Sequence, residues 1–175
     1  MRVKLSVLLL GASLASAVQV WALPDSCGKE DVNFKVTTQT NPPQLASPEA
    51  GKAQIVFLET EQADGEVLTG VEARLGIDGT WIGATKGDSY FVVAVTPGQH
   101  HLCANWQADF AYEWQRTSVA PLNVEAGKVY YYRVNIRHIR THEIEYHSLD
   151  LAPVNEDEGK YLAGSLPLAK SKPEK

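Results

Sequence analysis

Residues 71–106 have the sequence VEARLGIDGTWIGATKGDSYFVVAVTPGQHHLCANW, and this run predicts four short β-strands joined by three tight turns. The turns fall at Asp78-Gly79, at Lys86-Gly87-Asp88 and at Thr96-Pro97-Gly98-Gln99. Asp-Gly is a preferred pair for a two-residue type I′ turn, and Pro-Gly suits a type II turn because proline presets φ and glycine accepts φ > 0. The run therefore predicts a series of antiparallel hairpins.

The Asp78-Gly79 turn also predicts the register of the two strands that it joins. Closing the turn pairs Ile77 with Thr80, Leu75 with Ile82 and Ala73 with Ala84, all on the apolar face. The same register sets Trp81 across from Gly76 on the outer face, beside Arg74. An indole that covers a strand glycine stabilises a sheet, which is the structural interpretation of Trp81. The alternative is an exposed aromatic residue on which a ligand stacks.

Further strands are predicted on both sides of this run. Residues 52–60 and 89–95 carry apolar side chains on both parities, as interior strands do, and residues 119–125, 128–139 and 144–154 follow as strands. Asn155 is expected to cap a short acidic helix that stops near Gly164. The predicted fold class is all-β: an antiparallel β-sandwich of about seven to eight strands, prealbumin- or Ig-like in layout, with a short C-terminal helix.

The start of the chain predicts export. Basic Arg2 and Lys4 precede an apolar stretch too short to span a bilayer, and small residues follow, so residues 1–22 are predicted to be a signal peptide. Cleavage after Ala17 or after Ala22 satisfies the small-residue rule, and we favour Ala22. The protein is thus expected to be periplasmic or secreted. No transmembrane segment and no lipid anchor are expected, because Cys27 does not follow a Leu-small-small motif.

The rest of the chain divides by composition. Residues 23–50 are polar and proline-bearing, and we expect an N-terminal arm and linker there. Residues 51–164 are expected to form the β-sandwich domain, and residues 165–175 a disordered tail. Without Arg2 and Lys4 the chain keeps 14 basic against 21 acidic residues, a net charge of −7. Such a charge repels phosphate backbones, so nucleic acid is not expected as a partner.

The chain has two cysteines, Cys27 and Cys103. In an oxidising compartment a single disulfide is the default expectation. It would close a loop of roughly 75 residues, which the chain-entropy treatment values at about 4 to 5 kcal/mol. The alternative is a buried thiol at Cys103 and a free one at Cys27, since spacing alone does not show that two sulfur atoms meet.

Phe110, Tyr112 and Trp114 alternate with Ala111 and Glu113, so an extended segment presents three aromatic side chains on one side. If the segment covers the core, the three are buried and structural. If it is a loop tip, they form an exposed platform that stacks on sugars or peptides. Together with Trp81 they are the candidate binding residues.

A metal or catalytic site has weaker support in the sequence. The segment His142-Glu143-Ile144-Glu145-Tyr146-His147 resembles the zinc-protease motif, but its histidines are five residues apart, whereas one helical face needs a spacing of four. A metal site would have to be assembled across strands, and the remaining candidates are His100, His101 and His138. No strand-turn-helix nucleophile elbow and no phosphate-binding glycine loop occurs. We therefore expect no catalytic residue, no metal and no cofactor.

A family resemblance rests on five motifs: VEARLGIDG, WIG, SYF, VTPGQHHL and VEAGKVYYYRV. With these motifs, residues 51–164 resemble a bacterial envelope family of unknown function, often lipoprotein-like, that is similar to PEGA-type and carboxypeptidase-regulatory-like β-sandwich modules. The resemblance implies a β-sandwich of the cell envelope and carries over no catalytic residue. The expected function is a non-catalytic binding or structural module whose partner is an envelope protein or a glycan. The alternative is a metal-binding or hydrolytic periplasmic protein that uses a cross-strand histidine cluster.

Overall fold

The computed structural model describes residues 27–28, 32–64, 71–107, 117–140 and 145–174, without the side chains of residues 61–64, 138–140 and 145–147. In these residues the chain forms two sheets and one helix. The elements in chain order are β1 (Phe34–Gln39), β2 (Ala53–Asp64), β3 (Glu72–Ile77), β4 (Thr80–Lys86), β5 (Ser89–Val95), β6 (Gly98–Trp106), β7 (Thr117–Val124), β8 (Val129–Arg140), β9 (Glu145–Val154), α1 (Glu156–Ser165) and β10 (Leu168–Pro173). The predicted signal peptide lies outside the described residues.

The two sheets have six and four strands. The six-stranded sheet has the order β1-β10-β5-β2-β8-β9, and the four-stranded sheet has the order β4-β3-β6-β7. The prediction of a mostly β protein with a short C-terminal helix is confirmed, and β2 is an interior strand as its two apolar parities predicted. The expected strand number and the antiparallel arrangement are wrong, because the described residues form ten strands and β2 pairs with β8 in parallel. The strands of the four-stranded sheet lie between β2 and β8 in the chain. This long connection allows β2 and β8 to run in the same direction.

The extra strands come from the predicted linker and tail. β1 pairs with β10 antiparallel from Phe34 opposite Pro173 to Gln39 opposite Leu168. Strand β10 joins β5 through a parallel bridge between Leu168 and Tyr90. The expectation of a disordered tail over residues 165–175 is therefore wrong, and Phe34–Gln39 of the predicted arm and linker form a strand. Both segments lack a strong local pattern, and most of the backbone pairing of each is with the other.

The space between the sheets contains the main core. It is built from alternate apolar residues of β2, β3, β6 and β8, together with one buried residue of β5 and two each of β7 and β9. Ile77 lies opposite Thr80 and Gly76 opposite Trp81, as the turn predicted, and Asp78 and Gly79 have φ of 51° and 76°. A β-bulge follows, so Leu75 pairs with Gly83 and Ala73 with Thr85. The predicted pairs Leu75–Ile82 and Ala73–Ala84 are thus wrong, because local turn chemistry does not reveal a bulge farther along the strands.

The six-stranded sheet also folds over the edge of the four-stranded one. Phe34 and Val36 of β1 and Ala169 of β10 pack on the outer face of β4, against Trp81 and Ala84. The bulge turns Ala84 to the same side as Trp81, while Ile82 packs against the main core. The edge strand β4 is thereby covered, which protects a sheet edge from non-native pairing.

The other face of the six-stranded sheet carries the helix. Val56, Leu58, Tyr90 and Tyr131 form an apolar cluster there with Ala163 of α1. As predicted, Asn155 caps the helix, since its side-chain oxygen accepts a hydrogen bond of 3.0 Å from the Glu158 backbone N–H. The first turn contains Glu156, Asp157 and Glu158, whose charges favour the positive end of the helix dipole.

Candidate functional site

A cavity of about 690 Å³ opens on the outer face of the six-stranded sheet. One wall is the extended segment of residues 42–48, which we call the proline strap, and the opposite wall is α1. Tyr131 of β8, Lys160 and Gly164 of α1 are among its lining residues. A volume of this size lies within the range of roughly 300 to 1,000 Å³ that ligand pockets occupy.

A second cavity, of about 470 Å³, lies on the other side of the proline strap. Tyr90 and Phe91 of β5 and Leu168 of β10 line it, and residues 43–46 of the strap border both cavities. The two cavities are therefore the two halves of one surface groove, and the strap divides them.

The proline strap follows the sheet with a period of three residues. Pro42, Leu45 and Pro48 are half-buried, whereas residues 43, 44, 46 and 47 are exposed. This spacing is that of a polyproline II helix, which has three residues per turn and no internal hydrogen bonds. The Leu45 side chain packs against the apolar cluster under α1. One edge of the strap thus contacts the groove.

The rim of the larger cavity is charged, and its floor is apolar. Lys160 and Glu156 form an ion pair of 2.6 Å on successive helical turns, and both side chains are exposed. The hydrogen bond and the charge of Lys160 lower the pKa of Glu156, and the same contacts raise the pKa of Lys160. Burial raises the pKa of Tyr131, which is 4% exposed and stays neutral. The lining as a whole offers polar and apolar surface in about equal measure, so the site suits a ligand that carries both apolar and polar groups.

The structure does not leave Trp81 available to a ligand. Its side chain covers Gly76, where an added Cβ would lie 3.2 Å from the indole ring, and the residue is 8% exposed. The Arg74 guanidinium lies 4.7 Å from the ring centroid, a cation–π contact. These contacts agree with the structural interpretation of Trp81 and contradict its interpretation as an exposed stacking residue.

The two cysteines meet beside Trp81. Cys27 and Cys103 form a disulfide with a Cα–Cα distance of 5.4 Å, and the two cysteines are 76 residues apart in sequence. The bond attaches the N-terminal arm to β6, an interior strand of the four-stranded sheet. Arg74 Nη1 adds a hydrogen bond of 3.0 Å to the Val32 carbonyl oxygen.

Gln107 holds the beginning of β1 in the same region. Its side-chain Oε1 accepts a hydrogen bond of 2.7 Å from the Phe34 N–H, and its Nε2 donates to the Phe34 carbonyl oxygen and to Glu72. A side-chain amide thus makes the two hydrogen bonds that a neighbouring strand residue would make. The disulfide, Arg74 and Gln107 together bind the arm to the four-stranded sheet.

The three aromatic candidates, Phe110, Tyr112 and Trp114, lie outside the described residues. Their interpretation as a buried or an exposed set therefore stays a prediction. Among the histidines, His142 also lies outside the described residues. The backbone of His138 is paired directly with that of His147 in the β8–β9 register.

His100 joins two turns at one end of the four-stranded sheet. Its Nδ1 lies 2.7 Å from Asp78 Oδ2 and its Nε2 lies 2.8 Å from the Thr96 carbonyl oxygen, and its side chain is 11% exposed. The His101 backbone N–H donates to Asp78 Oδ1 at 2.8 Å. Burial acts to lower the pKa of His100, but the hydrogen bonds to Thr96 and Asp78 and the charge of Asp78 raise it overall. Burial acts to raise the pKa of Asp78, but the hydrogen bonds to His101 and His100 lower the pKa overall.

Among the residues with described side chains, no group of three or more His, Cys, Asp or Glu residues is arranged to hold a metal ion. The described part of the chain contains no helix with the length and apolar character needed to cross a membrane. No protein-family model, curated protein or solved structure matches the chain significantly.

Sequence reasoning missed the groove because it took residues 37–50 for a linker. The polar, proline-bearing composition of that segment predicts no regular structure, and its first residues belong to β1. A signal was present nevertheless in the three-residue spacing of Pro42, Leu45 and Pro48.

Proposed function

We propose that this chain is a non-catalytic binding module of the bacterial cell envelope, exported by its N-terminal signal peptide, and that the cavity between the proline strap and α1 is its ligand site. The observation that carries the proposal is this cavity of about 690 Å³, with Tyr131 at its floor and the Glu156–Lys160 pair at its rim. A cavity of this size has room for a ligand, and its lining offers polar and apolar surface in about equal measure.

Two further observations support an envelope location. The Cys27–Cys103 disulfide is the kind of bond that persists in oxidising compartments such as the periplasm. The resemblance of residues 51–164 to envelope β-sandwich modules, of prealbumin- or Ig-like layout, points the same way. Binding sites on such folds are carried by segments that a rigid sandwich positions. A glycan or an envelope protein is the proposed partner class.

The proposal is tested by filling the cavity. Gly164 lines it, and a Cβ added there has no atom within 4 Å, so Gly164→Leu adds a side chain without a clash. Immobilised protein should capture less material from purified peptidoglycan and envelope extract when it carries Gly164→Leu. Tyr161→Leu is the matched control, because Tyr161 lies on the same helix, is 75% exposed and does not line the cavity. Equal capture by both folded variants and the wild type refutes the cavity as ligand site.

The aromatic segment remains a second proposed contact surface. Tyr112→Ala and Trp114→Ala should reduce the same capture if these side chains stack on sugars or peptides. Retention equal to that of the wild type, with thermal unfolding unchanged, removes the segment from the proposal. The two sets of variants separate the cavity from the aromatic segment.

A metal-dependent function is the second candidate. It is favoured by one observation, the direct pairing of His138 with His147 in the β8–β9 register. Directly opposed residues of an antiparallel pair project from the same face of the sheet, the arrangement a cross-strand site needs. Metal analysis of protein purified without a His tag tests it: near one equivalent that is lost in His138→Gln supports a site. Less than about a tenth of an equivalent rules it out.

A further inference from the structure

We propose that the groove divided by the proline strap recognises extended, proline-containing peptide segments, and that the strap is its internal occupant. This inference rests on the proposed function of the cavity as a ligand site and specifies the class of ligand. The partner is a second polypeptide whose polyproline II segment carries an apolar side chain between two prolines, as the strap does with Leu45 between Pro42 and Pro48.

The strap itself shows how such a segment binds. Its half-buried residues recur every third position, so one edge of the extended segment faces the sheet, with the spacing that a polyproline II helix has. Leu45 enters the apolar cluster of Leu58, Tyr90 and Tyr131, and the exposed positions between make the outer edge. The groove is therefore shaped for a threefold helix with one leucine-sized anchor.

The lining of the groove has the chemistry that this mode of recognition uses. Tyr131 lines the cavity on the α1 side, and Tyr90 and Phe91 line the cavity on the β10 side. Proline-rich segments dock on grooves lined by aromatic residues, because their preformed helix loses little conformational entropy on binding. While the strap is bound, Tyr90 and Tyr131 are 2% and 4% exposed, so an external peptide reaches this aromatic surface only where it takes the place of the strap.

The strap is held loosely enough to be exchanged. Cavities of about 690 and 470 Å³ separate it from its neighbours on both sides. Among the backbone hydrogen bonds of the described residues none involves residues 42–48, while Lys52 donates to the Glu49 carbonyl oxygen just beyond its end. Asn41 and Gly51, with φ of 54° and 76°, form turns that bound the strap. Its attachment to the groove thus depends on its half-buried side chains, of which Leu45 packs against the apolar cluster under α1.

An attached occupant competes at a high effective concentration, in the millimolar range for short flexible connections. An external peptide then binds only to the fraction of molecules whose groove is open, and its apparent affinity falls by that fraction. Leu45→Ala removes the anchor of the internal competitor and leaves the groove intact. We expect this variant to bind an external peptide roughly tenfold more tightly than the wild type.

The probe is a fluorescein-labelled synthetic peptide with the sequence of residues 40–50, TNPPQLASPEA. Fluorescence anisotropy is recorded against the full chain as wild type, as Leu45→Ala and as Leu45→Ala with Gly164→Leu. The expected order of affinity is Leu45→Ala first, with the wild type and the filled variant weaker. A control peptide of scrambled order should bind none of them. Equal binding of the two peptides, or no binding to folded Leu45→Ala, overturns the inference.

Wild-type protein provides a second measurement that needs no variant to fold. At millimolar peptide, amide NMR shifts should be confined to residues 42–48 and to the groove strands, and scattered or absent shifts overturn the inference. If the peptide does not bind while Gly164→Leu still reduces the capture of material from envelope extract, only the proposed ligand class is wrong. If neither effect occurs, the proposed function fails as well.

Discussion

Replacing Gly159 by alanine should destabilise the protein, although alanine is the better helix former. Gly159 is buried within α1, and a Cβ added to it would overlap Cγ, Cδ1 and Cβ of Tyr131. These atoms lie near the backbone of a residue that is 4% exposed, so no flexible end can move aside. Glycine to alanine inside a helix gains about 1 kcal/mol, whereas overpacking a core costs about 1 to 3 kcal/mol. Because the overlaps are severe, we expect an overpacking cost of about 3 kcal/mol, which leaves a net loss of about 2 kcal/mol.

Gly164 supplies the matched control in the same helix. A Cβ at Gly164 meets no atom within 4 Å, so Gly164→Ala should stabilise by up to about 1 kcal/mol. The two identical substitutions should therefore change the free energy of unfolding in opposite directions. Urea unfolding followed by tryptophan fluorescence measures both changes, provided that the slope with denaturant is unchanged.

A third variant isolates the overlap with Tyr131. In a Tyr131→Ala background the overlaps with the ring atoms Cγ and Cδ1 are absent and only the contact with Cβ remains, so Gly159→Ala should cost clearly less there than in the wild type. The reasoning is refuted if Gly159→Ala is as stable as the wild type, or if it costs the same with and without Tyr131. Because Tyr131 lines the proposed ligand site, Gly159→Ala should also weaken ligand capture.

Three further outcomes are expected. Replacing Cys27 and Cys103 together by alanine should lower the free energy of unfolding by about 4.5 kcal/mol, since the bond closes a loop of 76 residues; urea unfolding of the oxidised wild type and the double variant measures this. Trp81→Ala should cost about 3 to 5 kcal/mol in the same assay, and a loss under 1 kcal/mol would contradict its burial. The raised pKa of His100 means that its stabilisation is complete below its ordinary pKa of 6.5 and disappears as the pH rises through the folded value. The lowered pKa of Asp78 adds stabilisation that is complete above its ordinary 3.8 and disappears as the pH falls through the folded value. His100→Gln should thus flatten the loss of stability above pH 6.5, which unfolding measured from pH 5 to 9 reports.

Parts of the candidate site were visible in the sequence, and others were not. The Asn155 cap and the acidic first turn of α1 follow from residues within one helical turn, so they were predicted together with the helix. The sequence of the proline strap predicts only a linker, because its residues show neither the period of a strand nor that of a helix. Its contact surface comes from β2, β5 and β8, which the chain reaches only after the strap. A groove of this kind is a property of the assembled sheet.

The sequence by itself determined the local elements. Alternation with a period of two specifies strands, Asp78-Gly79 specifies a type I′ turn at φ of 51° and 76°, and Gly76 opposite Trp81 follows from that turn. These features depend on residues a few positions apart, whose sterics and hydrogen bonding act within the unfolded chain as well. These local elements therefore do not depend on how the rest of the chain folds.

Only the tertiary structure decided which distant segments pair. Phe34 lies opposite Pro173, and β2 runs parallel to β8, because burying their apolar faces and pairing their backbone groups is possible only when both sheets are assembled. The bulge between Leu75 and Gly76 has the same origin, since it turns Ala84 toward β1 and β10 and leaves Ile82 on the main core. The free energy of this strand pairing comes from contacts between segments that are far apart in the sequence. No local sequence pattern can therefore predict which segments pair.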